Sequence, residues 1–167
     1  MRRPSWTIRP KGERDAAAVV AILAEVAREG RFVATEWPFD VDVRTSALRD
    51  ALLARRAVGW VAVEGGKIVG DLTLFELERD EPELGMIVAA RHRGCGIGRA
   101  LLEHAVAWAR ANAKPAVTLR VFPDNERALG LYRTSGFVEV ELQPADIVRR
   151  DGTALDTLLM RRAVDER

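Results

Sequence analysis

Arg91-His92-Arg93-Gly94-Cys95-Gly96-Ile97-Gly98 is the stretch on which the fold turns. It follows Leu84-Gly85-Met86-Ile87-Val88, a β-rich run, and opens an amphipathic segment reaching to about Ala113. In that segment Arg99, Glu103 and Arg110 fall on one side of a helix, and Leu101, Ala105 and Trp108 on the other. Three alternating glycines between a strand and a helix leave bare backbone N–H groups, and the positive helix end, pointing outward at one place. This is an anion cradle. Arg91, His92, Arg93 and Arg99 surround it, more cationic groups than a packing turn needs, so the ligand should carry phosphate.

Two familiar phosphate loops do not fit. A P-loop requires Gly-Lys-Ser/Thr to hold terminal phosphates and magnesium, whereas Gly98 is followed by Arg99-Ala100. A dinucleotide fingerprint begun at Gly94 puts Arg99 where its third glycine permits close helix–strand packing, and the strands before it form a meander rather than a βαβ unit.

Upstream of the loop, Trp60 to Glu64 and Lys67 to Phe75 are strands separated by Gly65-Gly66, the signature of a tight antiparallel hairpin. Before them lie a short strand, Trp6 to Ile8, and an Ala-rich helix, Glu13 to Arg28. An irregular connection, Arg31 to Asp42, leads to a second helix at about Val43 to Ala54. Downstream come a strand at Ala116 to Val121, a helix at Glu126 to Thr134 capped by Asn125, and two last strands, Phe137 to Leu142 and Ala154 to Met160. Pro144 and Asp151-Gly152 mark Gln143 to Gly152 as a loop. The order is α/β without the regular alternation of a doubly wound sheet, so a mixed sheet is expected.

At 167 residues, one domain spanning 1–167 is expected. Hydrophobic residues make up 48% and charged residues 31%, which excludes disordered, collagenous and coiled-coil classes. Net charge is +1, so nothing calls for a nucleic-acid partner. One cysteine and two histidines argue against a metal site or an internal disulfide. The N-terminus lacks the apolar stretch of a secretory signal, and Ala16 to Ala24, the longest apolar run, is too short to span a bilayer. No membrane partner and a cytoplasmic location are expected.

Arg93-Gly94-Cys95-Gly96-Ile97-Gly98 satisfies each fixed position of a third loop, the Gln/Arg-x-x-Gly-x-Gly/Ala pyrophosphate loop of acetyl-CoA transferases. Here the chain resembles the GNAT (Gcn5-related N-acetyltransferase) superfamily over nearly its whole length. The strand five residues before Arg93 and the block Val121-Phe122-Pro123-Asp124-Asn125-Glu126-Arg127-Ala128-Leu129-Gly130-Leu131-Tyr132-Arg133-Thr134-Ser135-Gly136-Phe137 carry the likeness beyond the loop. The resemblance implies a mixed, mostly antiparallel central sheet of about seven strands flanked by about four helices. It also implies acetyl-CoA as donor, without metal, held by Ile87, Val88, Arg93, Gly94, Gly96, Ile97, Gly98, Arg99, Asn125 and Ala128.

Tyr132 is the only tyrosine and lies seven residues after Asn125, on the same helix face. Alone it reads as packing. In the family the matching hydroxyl sits near the thioester sulfur and protonates the leaving thiolate. Asn125 serves equally as an N-cap and as a contact to the pantetheine arm, since a cap leaves the side-chain NH2 free. The acceptor amine must lose a proton, and Asp71, Glu76, Glu78, Asp80, Glu81 and Glu83 supply carboxylates. Most read as a solvated loop face. Glu83, heading the strand that by resemblance runs beside the acetyl group, is the first choice, with its pKa raised by like charges; Glu76 is the second. Backbone N–H groups near Val88 are expected to matter more than side chains there, since a bulge in this strand would free a donor for the thioester oxygen. Cys95 has no histidine and carboxylate arranged beside it in sequence. His92 reads as lying near phosphate, and His104 as surface or satisfied core.

The resulting expectation is direct N-acetyl transfer to a primary amine of a small, amino-acid-like acceptor. The alternative is a non-catalytic acyl-CoA-binding module of the same fold, and longer acyl donors and a homodimer both stay open. The acceptor is expected between the Arg31 to Asp42 connection and the Gln143 to Gly152 loop, with Trp37 and Phe39 as apolar surface and Glu36 facing an ammonium. Arg149 and Arg150 read either as carboxylate partners or as solvated turn residues.

Overall fold

Gly65 and Gly66 take φ angles of 55° and 78°, the left-handed values a two-residue turn needs. They join β2 (Val58–Glu64) to β3 (Lys67–Phe75) as an antiparallel hairpin. The computed structural model describes residues 5–164. Met1 to Pro4, part of the stretch read above against a secretory signal, and residues 165–167 lie outside the described residues.

The sheet grows from this hairpin in both directions. β1 (Trp6–Pro10) pairs with β2, and β4 (Glu83–Val88) with β3. β5 (Ala116–Val121), β7 (Ala154–Ala163) and β6 (Val138–Val148) complete the order β1-β2-β3-β4-β5-β7-β6. Among the described residues every pair is antiparallel except β4 with β5, which the single helix α3 joins as a crossover; α1 and α2 together return the chain from β1 to its antiparallel neighbour β2. Four helices flank the seven strands: α1 (Ala16–Arg28), α2 (Val41–Leu53), α3 (Ile97–Ala111) and α4 (Glu126–Thr134). The expected mixed, mostly antiparallel sheet with four helices is therefore what forms.

Several boundaries move. A 3₁₀ turn at Glu13–Asp15 precedes α1. α2 starts at Val41 because Asp40 caps it, its Oδ1 accepting from the Val43 N–H at 2.9 Å. Pro144 does not end β6. The strand lies at the sheet edge, where a proline can be spared its N–H, and the β6–β7 register shifts between Gln143 and Ile147. The turn itself is confined to residues 149–153, where the Arg149 N–H donates to the Thr153 carbonyl at 2.8 Å.

One face of the sheet packs on α3. Ile97, Leu101, Leu102, Ala105, Val106 and Ala109 meet Trp60, Ala62, Leu72, Leu74 and Leu84 in the main core. Gly70 permits the contact, since a Cβ there would lie 2.9 Å from Ile97 Cγ2. Alternation along β3 turns Asp71 and Thr73 to the other face. There they are buried with Lys11, whose ammonium donates to Asp71 Oδ1 at 2.6 Å and also to Thr73 Oγ1. Asp71 is thus a core residue and not part of a solvated acidic face. Burial pushes its carboxyl upward, and the Lys11 charge opposes the shift.

Candidate active site

β4 and β5 pair at a single position, Glu83 with Thr118, next to a hydrogen bond from the Thr118 N–H to the Pro82 carbonyl at 3.1 Å. Beyond that point the two strands line a cleft of about 1190 Å3. The β3–β4 register runs unbroken from Phe75 opposite Glu83 to Gly70 opposite Val88, so no bulge interrupts β4 there. The free donors come from the parting of the strands instead. The Ala89 N–H bonds back to the Val69 carbonyl at 2.9 Å while the Pro82 carbonyl faces β5. Antiparallel alternation therefore aims the N–H groups of Met86 and Val88 into the cleft. The Val88 carbonyl, on the same side, accepts from Arg93 Nε at 3.0 Å.

The glycine loop borders this cleft, and its glycines serve different ends. Gly96 is the N-cap of α3 at φ 90°, without a side-chain cap, so the first-turn N–H groups of Ile97, Gly98 and Arg99 stay open to an anion. At Gly94 a Cβ would fall 2.8 Å from Arg127 Nη2. Gly98 is a packing glycine, because a Cβ there would lie 2.7 Å from Leu131 Cδ2 on α4. Ile97 contributes backbone alone, its side chain being core.

The surrounding cations are partly committed. Arg93 forks onto Glu29 at 2.6 and 2.9 Å, holding that carboxyl below its usual range, and so braces the loop against the end of α1. Arg99 binds Thr134, through its carbonyl at 3.1 Å and its hydroxyl at 2.9 Å. His92 lines the cleft, with Nε2 2.8 Å from Glu64 and a buried Nδ1 that lacks a partner among the described residues. Arg91 does not line the cleft, whereas Arg127 does and was not singled out in sequence. Its signal was position alone, two residues after the capping Asn125.

Asn125, Ala128 and Tyr132 share the cleft side of α4. Asn125 is an N-cap, its Oδ1 accepting from the Ala128 N–H at 3.2 Å, which leaves its NH2 available. Tyr132 is 7% exposed and packs 5.8 Å from the Phe137 ring. Burial pushes its phenol up to about 12. Ile87 lies on β4 opposite Asp71, and both line the cleft. Cys95 is exposed, its thiol donating to the His92 carbonyl at 2.7 Å, and His104 is stacked 6.0 Å from Trp60.

Glu83 faces the cleft, but in company that the sequence did not suggest. Its carboxylate accepts from Arg120 Nε at 2.9 Å, so a cation, and not crowding by like charges, is its immediate neighbour. Glu76 is outside the cleft lining, paired with Arg79 at the surface.

The segments expected to meet the acceptor are arranged differently from the expectation. Residues 31–35 line the cleft; Glu36, Trp37 and Phe39 do not. Trp37 and Phe39 stack edge to face at 5.6 Å, with the Arg28 guanidinium 3.8 Å from the Trp37 ring centre. Glu36 accepts from the Arg150 N–H at 2.9 Å. Arg149 donates to the Val33 and Ala34 carbonyls at 2.9 Å each, and Arg150 to the Pro38 carbonyl at 2.5 Å. The two arginines are not free: Arg149, half-buried, and Arg150, exposed, strap the β6–β7 turn across the connection before α2. Among the described residues no three His, Cys, Asp or Glu side chains gather as a metal site, and no helix is long and apolar enough to cross a membrane.

The model of the acetyltransferase (GNAT) family matches residues 20–137. Peptidyl-lysine N-acetyltransferase YjaB of Escherichia coli (strain K12) is 39% identical over 70 residues, 36% of this chain and 44% of that protein. L-amino acid N-acyltransferase MnaT of the same organism is 28% identical over 166 residues, 96% of this chain and 95% of that protein. Among solved structures, yncA of Salmonella typhimurium, a putative acetyltransferase with its cofactor acetyl-CoA, superposes with a TM-score of 0.82. The identity is 24%, and the match covers 98% of this chain and 96% of that one.

Proposed function

The chain belongs to the GNAT family and is an N-acetyltransferase; from that premise we propose that it passes the acetyl group of acetyl-CoA directly to the primary amine of a small, amino-acid-like acceptor. The observation that carries the acceptor assignment is the strap made by Arg149 and Arg150, which ties the β6–β7 turn to residues 33–38 at the acceptor end. Residues 33–35 of that connection line the cleft, so the strap is read as fixing the wall of a small acceptor pocket, whereas a polypeptide tail needs an open groove. The full-length likeness to an L-amino acid N-acyltransferase supports the same class, while the likeness to a peptidyl-lysine enzyme covers 36% of the chain. Arg31 and Arg44 line the cleft, as do Glu83 and Asp146, two carboxylates that share the single cation Arg120, with Leu48 and Phe75 contributing apolar wall. That distribution suits a zwitterion with an uncharged side chain.

The residues present fit acetyl-CoA as substrate. The uncapped start of α3 offers N–H groups to its pyrophosphate, with Arg127 and His92 alongside. Bound there, acetyl-CoA supplies a thioester acyl group. The N–H groups of Met86 and Val88 donate to the carbonyl oxygen as it gains charge, and the carboxylate of Glu83, directly or through water, takes the proton of the attacking amine. As the new C–N bond forms and the C–S bond breaks, the Tyr132 hydroxyl donates a hydrogen bond to the sulfur. Burial disfavours the phenolate, which opposes complete transfer of its proton to the sulfur. Tyr132 therefore acts chiefly by hydrogen-bond stabilisation of the departing thiolate.

The test is release of CoA over a panel of free L-amino acids, polyamines and lysine-containing peptides. Turnover with uncharged-side-chain amino acids and none with peptides is the expected result, and faster turnover with peptides overturns the small-acceptor reading.

A further inference from the structure

Arg120 stands where β4 and β5 separate. It is two residues past Thr118, whose pairing with Glu83 is the single register pair of the two strands, and it projects to the cleft while Leu119 and Val121 enter the core. Its guanidinium has two arms in use. Nε donates to Glu83 Oε1 at 2.9 Å, and Nη1 reaches Asp146 Oδ1 and Oδ2 at 3.3 and 3.2 Å. Asp146 is fixed in turn, since its Oδ2 accepts from the buried hydroxyl of Thr157 at 2.6 Å.

The chain Glu83, Arg120, Asp146, Thr157 thus takes one member from each of β4, β5, β6 and β7. Asp146 lies inside the register shift of β6 between Gln143 and Ile147. A bulge re-aims a side chain, and this one turns a carboxylate toward Arg120 from an edge strand two places away in the sheet. An ion pair at a strand junction needs no such third party for stability, because partly exposed pairs contribute little. The arrangement is instead suited to orienting one group, with rigid support behind it.

We infer that Arg120 is a positioning residue for acetyl transfer: clamped by Asp146 and Thr157, it holds Glu83 by Oε1 and leaves Oε2 turned to the acceptor amine. This rests on the reading that Glu83 takes the amine proton. Arg120 itself touches neither substrate. Replacing it loosens Glu83 and slows the chemical step while binding of acetyl-CoA is unaffected.

The experiment is a double-mutant cycle on the full chain, with acetyl-CoA and the best amine of the panel, each variant first shown by circular dichroism to be folded. R120Q is expected to lower kcat about 10- to 100-fold with the acetyl-CoA KM unchanged, and E83Q to lower it at least as far. Residues that act as a unit are not additive, so the double variant should fall within about 2-fold of E83Q alone. Added guanidinium ion should partly restore R120A and leave E83Q as it is. Multiplying losses in the double variant, or an R120Q defect confined to the acceptor KM, overturn the inference while leaving Glu83 as base. A fully active E83Q overturns the base assignment itself, and the inference with it.

Discussion

Lys11 Nζ lies 2.6 Å from Asp71 Oδ1 with the lysine side chain wholly buried. It reaches Asp71 by crossing β2 at Gly59, where a Cβ would stand 2.8 Å from Lys11 Cε. The two residues are 60 apart in sequence and join the segment after β1 to β3, beside the cleft.

Removing one member of a buried pair strands the other charge. Lys11→Met should destabilise the fold by roughly 3 to 5 kcal/mol in urea unfolding, and the double change Lys11→Met, Asp71→Leu should recover most of that. Gly59→Ala is expected to destabilise as well, because its Cβ would stand 2.2 Å from the Leu72 carbonyl oxygen and also press on Lys11. A double variant no more stable than Lys11→Met would show that the pair is not what the site needs.

Tyr132 can be titrated without interference because the chain has no other tyrosine. Phenolate absorbance should rise near 12, above the ordinary value of 10, because burial disfavours the charged form. The linkage has a definite sign. A folded-state value above the unfolded one contributes stability that is whole below pH 10 and lost as pH rises toward 12. Tyr132→Phe should lower kcat about 10- to 100-fold and leave acetyl-CoA affinity nearly unchanged.

The loop glycines separate stability from binding. Gly98→Ala must displace Leu131, so its melting temperature should fall along with its activity. Arg127→Gln should leave melting unchanged and weaken acetyl-CoA about 5- to 10-fold by calorimetry, the loss shrinking as salt is raised. Equal melting temperatures for Gly98→Ala and the parent would remove the packing role.

At the acceptor end, Arg149→Ala should raise the acceptor KM several-fold and spare that of acetyl-CoA, since the strap does not touch the glycine loop. Trp37→Ala should act in the same direction and more weakly, through the connection and not through the cleft wall. Steady-state kinetics with both substrates varied decides both, and a defect confined to acetyl-CoA would place the strap on the donor side.

What the sequence determined by itself is what neighbouring residues settle among themselves. The turn at Gly65-Gly66, the Asn125 cap, the apolar stripe of α3 and the glycine loop ahead of it depend on φ angles, caps and helical period within a few residues. They sufficed to set the glycine loop at the start of α3 and Tyr132 on the Asn125 face of α4; the roles given to them rest on the family resemblance. The surroundings of Glu83 and of residues 31–39 were decided by tertiary structure. Glu83 meets Arg120 from 37 residues away, and Arg149 meets Val33 from 116 away. Those meetings depend on strand order, on β4 and β5 parting after one pair, and on an edge strand that absorbs Pro144 in a shifted register. A carboxylate whose neighbours in sequence are acidic can face an arginine, and an aromatic pair in a loop can turn from the cleft, because pairing across strands sets a side chain's surroundings independently of the residues beside it in the chain.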